Sequence, residues 1–331
     1  MGSSKIKIHK AGQIDVNLLK SLQIAIIGYG SQGRAQALNL RDSGFHPVIG
    51  LPVKSHSRKI ARKDGFIVTT SAKAVKNADL ISILIPDHKH KELFENDLYR
   101  VCKKRQTFIF AHSLSVHFKL INQPSGVNFI LVAPHGPGVR LRERFLAGKS
   151  VLAFIGRTEI STKKSLKLAA AYAKAIGCAG KGLIETSFES EAIGDIFGEQ
   201  AILCGGLSAL LKAGFKTLIK AGISPENAYI ECVYQLDLIV DLIKKHGIGG
   251  MYDKISTTAA FGSLMIEDEI INDKSKQSMD SLMRKIKSGK FSRELIKDYE
   301  NSFIKLNKIK KSKDYKLLDE MALFFNKKIG S

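Results

Sequence analysis

The chain has 331 residues, 44% of them hydrophobic and 25% charged, with no Trp, which is enough to bury one or two ordinary cores and makes two domains the natural expectation. Its formal net charge is +21, but the lysines are spread through ordinary helical patterns instead of forming one aromatic-flanked stripe, so a lysine-rich solvated surface is expected and a nucleic-acid partner is not. No opening stretch has the basic, apolar and small-residue layout of an export signal, no run of about eighteen apolar residues occurs, and Cys102, Cys178, Cys204 and Cys232 form no CxxC pair. A soluble cytoplasmic protein without a membrane partner, a disulfide framework or a zinc site is therefore expected.

In chain order, short β-branched runs alternate with helical stretches, the pattern of a parallel sheet with crossover helices. Candidate strands are Gln23 to Gly28, His46 to Leu51, Leu80 to Ile85, Thr107 to Ala111, Asn128 to Val132 and Val151 to Ile155, followed by a helix from Ser161 to Ala175 and a last strand at Gly182 to Glu185. The first of these strands runs into Gly28-Tyr29-Gly30-Ser31-Gln32-Gly33, which opens a helix ending at Gly44. That strand, turn and helix context is what a dinucleotide fingerprint requires: backbone amides approach a pyrophosphate at a helix N-terminus, where the dipole favours negative charge.

The second strand ends in Gly50-Leu51-Pro52-Val53-Lys54-Ser55-His56-Ser57-Arg58-Lys59, with no carboxylate to take ribose hydroxyls. Hydroxyls, lysines and an arginine suit a 2′-phosphate, which predicts NADP(H); the alternative is a basic surface loop.

From about Glu189 the strand signals stop, and apolar-periodic segments follow at Ile196 to Ala213, Pro225 to His246 and Ser278 to Ser288, with a basic amphipathic helix or tail at Lys305 to Lys328. The boundary falls near 186 to 190, giving an α/β domain at 1–186 and an all-helical domain at 187–331. Asp195 and Glu199 share a helix face four residues apart, and Glu231 stands one turn before Gln235 in a second apolar helix. Acidic groups among apolar ones are costly unless paired or bound to a cation, and oxygen-only ligands suit Mg²⁺. Spacing alone leaves open the reading that these are solvent-facing carboxylates on amphipathic helices.

Ile26 to Gly33, Ala37 to Gly44, Val132-Ala133-Pro134-His135-Gly136-Pro137-Gly138, Phe197 to Gly206 and Leu238 to Leu242 together resemble the ketol-acid reductoisomerase family over nearly the whole chain. The resemblance implies the short type of that family, a Rossmann domain followed by one knotted helical domain that dimerises, with a homodimer or higher homo-oligomer as the expected state. It implies conversion of an acetohydroxy acid such as 2-acetolactate to a 2,3-dihydroxy acid by Mg²⁺-assisted alkyl migration and NADPH reduction, in branched-chain amino acid synthesis. Carried over residue by residue, it places metal ligands at Asp195, Glu199, Glu231 and Gln235, a substrate contact at Ser256 and an active-site histidine at His112. It places cofactor contacts at Tyr29, Gly30, Ser31, Gln32, Ser55, Ser57, Asp87, His88, Lys89, His90 and Gly138. From the residues alone, His112 reads as a satisfied interior histidine after a buried strand.

Several positions depart from the family pattern. Gln235 stands in place of the fourth metal carboxylate, which predicts weaker binding of a second ion, and His135 replaces an active-centre lysine, whose charge a protonated imidazole could partly supply. Ser113 replaces a glycine, Arg34 and Gln36 replace histidines, Ala260 replaces a glutamate, and Pro52 replaces an arginine whose phosphate contact Lys54 or Arg58 would take over. These departures keep two further readings open: a reductase of another 2-keto acid, and a reductoisomerase-like protein that has lost catalysis.

Overall fold

The computed structural model describes residues 6–328; the outermost ends of the two predicted domains lie outside the described residues. The chain divides into two compact units, Met1–Gly194 and Asp195–Ser331.

The first unit is built on a nine-stranded sheet. Its strands are β1 (Ile8–His9), β2 (Ile24–Ile27), β3 (Val48–Gly50), β4 (Val68–Thr69), β5 (Leu80–Ile83), β6 (Thr107–Phe110), β7 (Asn128–Pro134), β8 (Ala153–Arg157) and β9 (Leu183–Glu185), in the order β1-β9-β8-β7-β6-β5-β2-β3-β4. Strands β2, β5 and β6 are buried at every residue, as a sheet covered on both faces demands. Alternate residues feed opposite cores: Ile24, Ile26, Ile109 and Ile130 join one cluster, while Ala25, Ile27, Phe108, Phe110 and Phe129 join the other. In the second cluster the Phe110 and Phe129 rings meet edge to face at 4.9 Å, with Phe94 stacked 6.2 Å from Phe110.

The expectation of a parallel sheet holds from β4 through β7 and again between β8 and β9. β8 runs antiparallel to β7, and β1 antiparallel to β9. The helix Gly138–Leu146 lies between the antiparallel strands β7 and β8 in the chain. Strands β1 and β4, two residues each, were not expected because so short a segment shows no periodicity. β2 pairs with β3 on one side and β5 on the other. The chain therefore changes winding direction at the carboxyl ends of β2 and β5, the place where doubly wound sheets hold their ligands.

The second unit is helical throughout its described residues. The predicted segment Pro225 to His246 is interrupted by a π-helical stretch, Ile230–Tyr234, and just past its predicted end Gly247 breaks the helical geometry at φ 75° inside Leu236–Tyr252. The basic C-terminal stretch forms two helices, Ile304–Ser312 and Lys316–Lys328. Its core is small, centred on Phe215, Ala228, Tyr229 and Phe325, with the Tyr229 and Phe325 rings stacked at 5.2 Å. Helix Thr257–Ile270 buries no residue, leaving Phe261 70% and Met265 69% exposed. The continuous helical run Phe188–Lys220 is long and apolar enough to cross a membrane by length and composition. The carboxylates within it kept it from reading as an unbroken apolar segment.

Candidate functional site

The phosphate-binding turn follows β2. Gly28 has φ 104°, and a Cβ there would lie 2.5 Å from the Leu84 carbonyl oxygen, so only glycine fits between the two strand ends. A Cβ at Gly30 would meet nothing within 4 Å, which leaves backbone open where a pyrophosphate would approach. The turn borders a cleft of about 650 Å³ whose lining includes Tyr29, Leu51, Ser55, Ser57, Ser71 and Lys89. The glycine cradle and the cleft fit a dinucleotide.

Tyr29 lines this cleft, but its hydroxyl is committed elsewhere: it donates to Asp64 Oδ2 at 2.8 Å, and the ring meets Phe66 edge to face at 6.0 Å. Burial, then the Asp64 hydrogen bond, push the phenol well above its ordinary range. Arg34 grips the same carboxylate through Nε at 2.7 Å and a second nitrogen at 3.1 Å, and that bond holds Asp64 below the usual carboxylate range.

Beside the cleft, a hollow of about 460 Å³ is lined by Lys54, Ser55, His56, Arg58, Lys59 and Arg62. Arg58 donates to the Leu51 and Thr69 carbonyls at 2.8 and 3.0 Å and ties β3 to β4. Of the two residues expected to replace the family arginine, Lys54 alone remains uncommitted to backbone; Arg58 is a structural tie.

The loops after β5 and β6 emerge side by side because the two strands pair in register, Ile83 opposite Phe110. Across this gap His112 Nδ1 lies 3.2 Å from Asp87 Oδ2. Burial pushes the Asp87 carboxyl up, but the hydrogen bond and charge of His112 outweigh it and leave the group below its ordinary range. The side chains of the segment Asp87 to His90 have different surroundings. Lys89 lines the cleft, whereas His90 is 3% exposed, bonded through Nε2 to the Ile85 carbonyl at 3.1 Å and through Nδ1 to the Ser115 hydroxyl. His88 precedes Lys89, and its imidazole pKa is lowered by burial and then by the neighbouring Lys89 charge.

The Pro134 to Gly138 loop is fastened to the phosphate turn. Gln32 Nε2 donates to the Gly136 carbonyl at 2.8 Å, so this side chain holds the loop. A Cβ on Gly138 would collide with the Ser31 carbonyl, which explains glycine at this close crossing. His135 stands on the loop with its ring edge to face against Phe154 at 4.4 Å.

In the helical unit, Glu199 lies in a π-helical stretch, Gly198–Leu203, and Glu231 in another, Ile230–Tyr234. The first is marked by a Cys204 N–H donated five residues back to the Glu199 carbonyl at 2.8 Å. Wide turns of this kind recur at functional sites. Asp195 closes the helix Phe188–Phe197 one turn before Glu199. Gln235 Nε2 donates to Glu231 Oε2 at 2.8 Å, which brings together two of the four predicted ligands. Among the described residues, no group of three or more His, Cys, Asp or Glu side chains is gathered tightly enough to hold a metal by itself. The donor set fits a hard cation in its chemistry, since every donor is oxygen. Ser256 caps helix Thr257–Ile270 by accepting the Ala259 N–H at 3.1 Å, which leaves its own hydroxyl proton to donate.

Residues 18–182 match the model for the acetohydroxy acid isomeroreductase NADPH-binding domain, and residues 188–321 match that for the ketol-acid reductoisomerase C-terminal domain. The chain belongs to the ketol-acid reductoisomerase family. A ketol-acid reductoisomerase (NADP(+)) of Methanosphaera stadtmanae is 39% identical over 301 residues, 91% of each chain, and one of Clostridioides difficile is 42% identical over 287 residues, 87% of each. The structure of an NADH-preferring ketol-acid reductoisomerase from an uncultured archean superposes with TM-score 0.90 at 33% identity, covering 98% of this chain and all of that one.

Within the ketol-acid reductoisomerase frame, the sequence reading passed over two carboxylates. Asp64 lies 35 residues from its partner Tyr29, and no local pattern pairs them. Glu191, 3% exposed, accepts the Ser113 N–H at 2.8 Å. Its signal was present in the sequence, since it precedes Asp195 and Glu199 at the same four-residue interval.

Proposed function

We propose that the chain converts 2-acetolactate or 2-aceto-2-hydroxybutyrate to the 2,3-dihydroxy acid by Mg²⁺-assisted alkyl migration and NADPH reduction, in branched-chain amino acid biosynthesis. The observation that carries this reading is that both family models match, one on each half of the chain. When bound, magnesium supplies Lewis acidity and NADPH supplies the hydride.

The chain's own residues do the holding and the proton work. Asp195, Glu199 and Glu231 donate carboxylate oxygen to magnesium and Gln235 an amide oxygen, and the bond from Gln235 orients Glu231. Amides of the turn from Tyr29 to Gln32 receive the pyrophosphate, while Lys54, Ser55, Ser57 and Lys59 meet the 2′-phosphate. Ser256 donates its hydroxyl proton to substrate oxygen, His112 exchanges a proton with the substrate, and His135 supplies positive charge when protonated.

We also place the protein in the cytoplasm as a homodimer or higher homo-oligomer, without a nucleic-acid or membrane partner. All four cysteines are free. The bare apolar face of Thr257–Ile270 suits a second copy of the chain, since contiguous exposed apolar surface on this scale marks an interface.

The deciding experiment is an acetolactate assay with NADPH across a magnesium titration. Turnover that requires both supports the proposal. Reduction of 3-hydroxypyruvate without acetolactate turnover would replace it with a 2-keto acid reductase, one of the two readings that the Gln235 and His135 departures keep open.

A further inference from the structure

His112 and Asp87 come from adjacent loops at the carboxyl edge of the sheet, where every buried polar group has to be matched. A carboxylate can only accept, so the 3.2 Å contact makes Nδ1 the protonated nitrogen of the imidazole and puts the lone pair on Nε2. Pro86 and Lys89 line the cofactor cleft, and Asp87 is not among its lining residues. Its second oxygen, Oδ1, is buried and accepts no hydrogen bond. The His90 imidazole is 3.9 Å from it and already spends its nitrogens on Ile85 and Ser115. The backbone that carries His112 is fixed from the other side, where buried Glu191 takes the Ser113 N–H.

From this geometry we infer that Asp87 is the positioning residue of His112, orienting the imidazole and selecting the tautomer whose Nε2 exchanges a proton with the substrate hydroxyl. The inference rests on the reductoisomerase reading above. In the step it serves, the hydroxyl O–H bond breaks and an Nε2–H bond forms. The imidazolium so produced is balanced by the Asp87 carboxylate, and the same proton returns to the oxygen of the former ketone after the alkyl group has moved. No electrons are exchanged with the protein, and no further reactant is needed. A carboxylate placed in this way stabilises the transient imidazolium without being protonated itself.

Two measurements on the full-length chain test the assignment. In ¹⁵N-histidine-labelled protein, the His112 imidazole should show a protonated Nδ1 and an unprotonated Nε2 at neutral pH, and Asp87→Asn should convert it to the other tautomer or to a mixture. In kinetics, Asp87→Asn should lower kcat by about 100-fold or more, while the NADPH dissociation constant, read by fluorescence, stays within twofold. A wild-type His112 protonated at Nε2 instead would overturn the inference. So would a tenfold loss of NADPH affinity with kcat at saturation intact, which would put Asp87 on the cofactor. The tautomer is read without substrate, so absence of acetolactate turnover in the wild type would defeat the proposed function and leave this test standing.

Discussion

The two units of the chain treat their apolar side chains in opposite ways. In the first, both faces of a nine-stranded sheet are closed by the unit's own helices, and side chains as large as Phe94, Phe108, Phe129 and Tyr172 are fully buried. In the second, a complete helix, Thr257–Ile270, buries nothing, and the core reduces to a few side chains around Phe215 and Tyr229. Close packing on this scale is what makes a domain stable by itself. The first unit is therefore a self-sufficient scaffold for binding, and the second carries its carboxylates on helices whose stability depends on what covers them.

The sharpest way to break this contrast is by truncating one phenylalanine in each unit. Phe129→Ala, in the aromatic cluster under β7, should cost about 3–5 kcal/mol in denaturant unfolding at any protein concentration. Phe261→Ala should cost little in dilute monomer and about as much as a core truncation once copies associate, so its effect should grow with protein concentration. A concentration-independent loss at Phe261 would mean that the helix finds its cover within its own chain.

A smaller effect is expected at the Glu231–Gln235 pair. Gln235→Glu removes an amide donor and sets two carboxylates one turn apart, so the magnesium-free protein should lose roughly 0.5 kcal/mol. With magnesium the order should reverse: thermal shift against magnesium should show a lower midpoint concentration for the variant, and turnover at limiting magnesium should rise, further when combined with His135→Lys. Unchanged magnesium dependence would remove Gln235 from the metal site.

The smallest effect belongs to the first unit's surface network. Asp64 has its pKa depressed by Arg34, so the stability it contributes is fully present above the unfolded carboxylate range near pH 4 and is lost as pH falls through the lower folded value. Arg34 is about half exposed, so Arg34→Ala should cost no more than about 1 kcal/mol at pH 7, and wild type and variant should converge in acid. A gap that persists in acid once the Asp64 carboxylate has been titrated would show that Arg34 acts through packing and not through charge.

How much of this could be read from residues alone follows the same division. β2, β5 and β6 were legible because burial on both faces makes their apolar runs continuous, and the phosphate turn was legible because its glycines sit between a strand and a helix. The reversal of β8 was not, since a strand's sequence does not record its direction. Side-chain commitments were also hidden: Gln32 holds the Gly136 carbonyl, Tyr29 holds Asp64 and Arg58 holds Leu51, and each of these pairs is set by the tertiary fold. In the helical unit the carboxylates were visible as spacings, but the π-helical stretches were not, because an apolar stripe repeating every three to four residues looks the same on either side of a widened turn.

Those widened turns set a condition on how the family's helical half can vary. A π turn holds one residue more than an α turn, so the chain around Glu199 and Glu231 is one residue too long for an uninterrupted α-helix. Removing a single residue there would let ordinary α bonding resume with the flanking turns keeping nearly their phase, because the widened turn is what absorbs the extra residue. Along most of these helices a substitution is the natural unit of change, whereas at these two places the backbone can also accommodate a one-residue deletion, and what such a deletion removes is the widened turn that carries the acidic group.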